Sequence, residues 1–241
     1  MTIQNSSHMA DLRHTPTPRR GFIGRLSARL AALAAGLSAV PMLDAVPAER
    51  HGRKIADAPP GEDWMKSLTG KHRVAFDLSA HKNGKPLQQT KNYLDAWRDA
   101  FQIPEREINV VVGVHGEGLP IVVTDAIWSR FKIGEQYDVK DADTKTAAVR
   151  NIFTAANAVS GGAVSAEQTV EALQKRGVRF IVCMNTIAGA TAKLAAAGLG
   201  APAEIRAALL EGLLPGVSTV PAMVVTLTQL QERGLAYIKI A

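Results

Sequence analysis

Cys183 is the only cysteine among 241 residues, and it closes the apolar run "FIVC" just where a strand gives way to the polar pair Asn185-Thr186. Asn and Thr are residues that cap helices, so a helix is expected to start there, and its free N–H groups favour a thiolate at its end. Such a thiolate is a nucleophile and can carry a sulfane sulfur as a persulfide. A cysteine in a core strand is otherwise an inert, buried side chain, and both readings stand at this point. His115 follows the run "VVVGV" and precedes Gly116, Glu117 and Gly118, so it marks a second strand end with a flexible turn beside it. Facing Cys183, it would serve as base or thiolate partner. His81 marks a third strand end, next to the solvated turn "KNGK".

Other chemistries fit less well. His115, Cys183 and Met184 are ligands for a soft metal, but successive strand residues point to opposite faces, so no metal site is assigned and no cofactor is expected. The stretch "GVHGEG" matches neither the dinucleotide fingerprint nor the Walker pattern. No serine sits in a nucleophile elbow, and the carboxylates show no pairing that spacing alone can place.

These side chains need strands to present them. From residue 70 onward, short β-branched runs alternate with helical patterns, which is how a parallel sheet covered by helices reads in sequence. Strands are expected at 72–81, 106–116, 178–185, 217–221 and 235–241, and helices near 87–101, 165–177, 186–197, 203–214 and 222–234. The passage "LPIVVTDAIWSRF" is ambiguous between strand and helix. The fold class is therefore α/β: a single doubly wound domain with a mostly parallel five-stranded sheet. In open parallel sheets ligands bind outside the carboxyl ends of the strands, and this rule is what nominates His81, the His115–Gly116–Glu117 turn, and Cys183 with Asn185 and Thr186.

Composition narrows the classes. One cysteine excludes an intramolecular disulfide and any multi-cysteine zinc site. The net charge of +6 falls to +3 for residues 49–241 once the five Arg and two Asp of 1–48 are set aside. With no basic block and 5% aromatic residues, the domain lacks the electrostatic and stacking features of a nucleic-acid binder.

Residues 17–48, "TPRRGFIGRLSARLAALAAGLSAVPMLDAVPA", have the layout of a secretory signal: arginines first, an apolar stretch at Leu30–Val40, and small residues at Val46-Pro47-Ala48. A permanent membrane span would have to bury Arg25 and Arg29, which disfavours one. Arg19-Arg20-Gly21-Phe22 resembles the twin-arginine export signal, although Pro18 and Gly24 depart from it. That resemblance implies passage of the folded protein through the twin-arginine machinery and work in the periplasm. The expected organisation is a leader at 1–48, a linker at 49–70 and an α/β domain at 71–241.

Four segments, "VAFDLSAHKNGKPLQQTKNYLDAW", "INVVVGVHGEGL", "GVRFIVCMNTI" and "LLPGVSTVPAMVVTLTQLQERGLAYIKI", resemble the DsrE/DsrF-like family. The resemblance implies a three-layer, flavodoxin-like α/β domain, homo-oligomers such as trimers or hexamers, and in some members sulfur relay through a cysteine persulfide with donor or acceptor proteins. Cys183 takes the place of the family's strand-end cysteine, and His115 that of a recurrent His-Gly. An oligomeric binding or accessory protein, with Cys183 in its core, is the alternative.

Overall fold

The five apolar runs form five strands, β1 (His72–Ala80), β2 (Ile108–Glu117), β3 (Arg179–Cys183), β4 (Ser218–Val220) and β5 (Ala236–Lys239). They lie in the order β4-β3-β2-β1-β5, and every neighbouring pair is parallel. This computed structural model describes residues 63–158 and 162–240, all within one compact unit, Arg53–Ala241. The expected leader, with Arg19, Arg20 and Phe22, lies outside the described residues.

Strand alternation divides the core into two layers. Val74, Phe76, Leu78, Val110, Val112, Val114, Phe180 and Val182 face one way and share a cluster with Leu87 and Leu94 of α1 (Lys85–Asp99). The same cluster holds side chains of α2 (Asp125–Phe131), α3 (Ile133–Gln136), α4 (Val170–Lys175), α5 (Met184–Ala196) and α6 (Pro202–Glu211). Ala75, Val111, Ile181, Cys183 and Val220 face the other way, under Met223, Leu227 and Leu230 of α7 (Met223–Glu232). The fold is thus an open, doubly wound α/β sheet, all parallel. Its layers match the expected three-layer arrangement, while its strand order differs from the 2-1-3-4-5 of flavodoxin.

Three local expectations change. Part of the stretch read as linker is structured: Asp63–Ser67 forms a 3-10 helix, and Met65 and Leu68 are buried beneath α7's side of the sheet. The helix expected at 165–177 splits, with a 3-10 turn at Ala166–Gln168 and α4 starting afresh on Thr169, whose hydroxyl accepts the Ala172 N–H. The ambiguous passage after β2 is helical, and it buries Trp128 and Phe131 fully. Its β-branched residues serve burial there, and only Val123 pairs as in a strand, through an isolated antiparallel bridge to Leu213.

Candidate functional site

The site begins where β3 and β4 end. From β3 the chain turns into α5 on one face of the sheet, and from β4 into α7 on the other. Neighbouring strands whose helices leave in opposite directions open a crevice between the two helix starts. A cleft of about 420 Å³ lies there.

Cys183 is one of its lining residues. The residue is extended (φ −74°, ψ 130°) and is itself the N-cap of α5. Its Sγ accepts the backbone N–H of Met223, the first residue of α7, at 3.3 Å. The sulfur is thus tied to the start of α7, while its side chain makes no cap bond to α5. Cys183 is also 4% exposed and belongs to the apolar cluster under α7.

Asn185 and Thr186 do not cap the helix, because it starts at Met184 and the cap falls on Cys183. Both line the cleft instead. The Thr186 hydroxyl accepts the Gly116 N–H at 3.1 Å and so ties the start of α5 to the end of β2.

At that end, β2 gains one residue relative to β1: Leu78 pairs with Val114 and Ala80 with Glu117. Gly116, in the left-handed region at φ 54°, is part of this bulge, and bulges beside sites re-aim side chains. One residue beyond the last β2–β3 pair, Val114 with Val182, His115 and Cys183 stand on adjacent strands and the same face. Neighbouring strands are about 4.8 Å apart.

His115 nevertheless turns toward β1. Its Nε2 lies 2.5 Å from Asp77 Oδ1, and the Tyr237 hydroxyl donates to Asp77 Oδ2 at 2.6 Å. Asp77 is 9% exposed. Tyr237 holds its proton above the ordinary range, because its hydroxyl donates to the Asp77 carboxylate. The bond between His115 and a thiol envisaged from sequence is replaced by a His–Asp–Tyr chain across β2, β1 and β5.

His115, Gly116, Glu117, Cys183, Asn185 and Thr186 all line the cleft, and His81 does not. His81 stands behind the wall: its Nε2 bonds the Tyr137 carbonyl at 3.0 Å, its Nδ1 accepts the Asn83 N–H at 3.1 Å, and its backbone N–H donates to Glu117. Burial pushes the His81 imidazole below its ordinary pKa, against the opposing pull of the Tyr137 carbonyl.

Tyr137, Gly189, Ala190, Lys193, Met223 and Val224 complete the lining. The Lys193 ammonium sits 4.0 Å above the Tyr137 ring and 3.5 Å from Glu117 Oε2. Burial first, and Glu117 second, push the Tyr137 phenol well above its usual range, so it remains neutral. Tyr137 comes from a polar passage that gave no motif, and Asp77 and Tyr237 sat inside strands where only their charge or hydroxyl set them apart. Among the described residues no group of three His, Cys, Asp or Glu side chains could hold a metal ion. No helix among them is long and apolar enough to cross a membrane.

Fold and site define an open parallel α/β protein with a thiol at its topological switch point. No protein-family model matches the sequence, and no curated protein matches it. Among solved structures, a protein of unknown function from Methanobacterium thermoautotrophicum is similar, with a TM-score of 0.38 and 18% identity over 70% of this chain and 98% of that one.

Proposed function

We propose that this is an exported, DsrE-like protein that carries sulfane sulfur as a persulfide on Cys183. The observation that carries the reading is the thiol itself: Cys183 lines the cleft, and its Sγ accepts a backbone N–H at the start of α7. The thiolate attacks the outer sulfur of thiosulfate or of a polysulfide. The donor's S–S bond breaks, and sulfite or the shortened polysulfide leaves with the electron pair. An acceptor thiolate reverses the exchange.

The same reading places the protein in the periplasm by the twin-arginine route and has it assemble as a homo-oligomer. Apolar side chains left at the surface of α7 and β5 support self-association: Val224 is 75% exposed, Val225 54%, Tyr237 44% and Ile238 42%. Mass spectrometry after treatment with polysulfide or thiosulfate tests the central claim. The expected result is one added sulfur on Cys183 that is absent from Cys183→Ser; an unmodified Cys183 overturns it.

Burial favours a second reading, a binding or accessory protein in which Cys183 is a core side chain. That reading requires Cys183 to resist thiol reagents until the protein unfolds. Rapid labelling of the native thiol eliminates it.

A further inference from the structure

We infer that Asp77, held by Tyr237, is the positioning residue that fixes His115 with its proton on Nε2 and leaves Nδ1 as the base serving Cys183. The inference rests on the persulfide reading only for what the thiol does next; the geometry of the three residues stands apart from it. An ionised Asp77 can only accept hydrogen bonds. One of its oxygens takes the Tyr237 O–H and the other faces His115 Nε2, so a neutral His115 carries its hydrogen on Nε2 and a lone pair on Nδ1. Nδ1 has no hydrogen-bond partner among the described residues, and His115 lines the cleft beside Cys183.

The three groups come from three strands, β1, β2 and β5, and the anchor is nearly buried: the Asp77 side chain is 12% exposed against 32% for His115. A buried carboxylate with two directed donors gives the ring one orientation and one tautomer, the role a buried aspartate has in hydrolytic triads. Proton traffic is then defined. The Cys183 S–H gives its proton to Nδ1 by way of a water in the cleft that both residues line, and the resulting imidazolium is stabilised by Asp77. The thiolate attacks the donor's outer sulfur, and the proton passes from Nδ1 to the departing sulfur anion. The ionisable groups around His115 are Asp77 from β1, Tyr237 from β5 and Cys183 from β3. Glu117 from β2, Lys193 from α5 and Tyr137 stand at the rim.

Two measurements test this. In wild-type protein carrying 15N-labelled histidine, the neutral His115 ring is expected to show Nε2 protonated and Nδ1 bare. A ring protonated on Nδ1 overturns the inference without any variant. The rate of Cys183 reaction with polysulfide, and separately with iodoacetamide, is then followed against pH in wild type, Asp77→Asn and His115→Gln. Asn presents an amide that can pair with either tautomer, so both variants are expected to lose roughly 100-fold, the low end of what a positioned base contributes, and to depart from the wild-type pH profile.

Equal pH profiles in wild type and Asp77→Asn, or a native thiol inert to both reagents, overturn the inference. If wild type gains no sulfur while alkylation still depends on Asp77, the persulfide reading falls and this one stands.

Discussion

The Sγ of Cys183 and the backbone N of Met223 are 3.3 Å apart, so the end of β3 and the start of α7 are joined through a sulfur atom 40 residues from its partner. Both residues are buried, at 4% and 3% exposure. Cys183→Ala leaves the Met223 N–H without an acceptor, and an unsatisfied buried donor costs about 1–3 kcal/mol. Urea denaturation should show a loss in that range.

Gly113 determines how closely α7 approaches the sheet. A methyl group placed there would sit 2.5 Å from Met223 Sδ, so Gly113→Ala forces Met223 outward and costs about 1–3 kcal/mol of overpacking. Because Met223 also holds the sulfur, the same variant should react faster with thiol reagents in the native state. A lower melting temperature with unchanged thiol reactivity would show that Met223 does not shield Cys183.

Gly116 needs its freedom for a conformational reason. Its φ of 54° lies in the left-handed region, where a side chain costs about 1–2 kcal/mol, and an added Cβ would be 3.1 Å from the Ser79 carbonyl. Gly116→Ala should lose that much stability in denaturant titrations. It should also shift the His115 ring resonances, because the bulge that aims the ring is disturbed.

His81 makes stability depend on pH. Burial holds its folded-state pKa below the ordinary 6.5, so over the interval between the two values the unfolded chain binds the extra proton, and stability rises with pH there. Its contribution is complete above 6.5 and is lost as pH falls toward the folded value. His81→Gln should flatten that part of the curve when unfolding free energy is measured across it.

Much of the fold was legible because periodicity is a local property. The β-branched runs of β2 and β3 and the Leu and Trp spacing of α1 follow from residues a few positions apart. The strand-end rule led to His115, Glu117 and Cys183 because it needs only the ends of strands. The same rule led to Asn185 and Thr186, which line the cleft, although neither caps the helix as expected, because the backbone enters it at Met184. His81 was placed at a strand end but lies behind the cleft wall, since its ring follows the Tyr137 carbonyl.

By itself the sequence determined that a lone thiol would stand at the end of a buried strand in a parallel sheet, with a histidine at the end of another. Only the tertiary structure decided that these two strands are neighbours, that α5 and α7 leave on opposite faces to open a cleft, and that His115 pairs with Asp77. Asp77 lies 38 residues from His115 and 160 from Tyr237, and no pattern along the chain links them. Strand order sets which side chains meet, and strand order follows from burying both faces of the whole sheet at once.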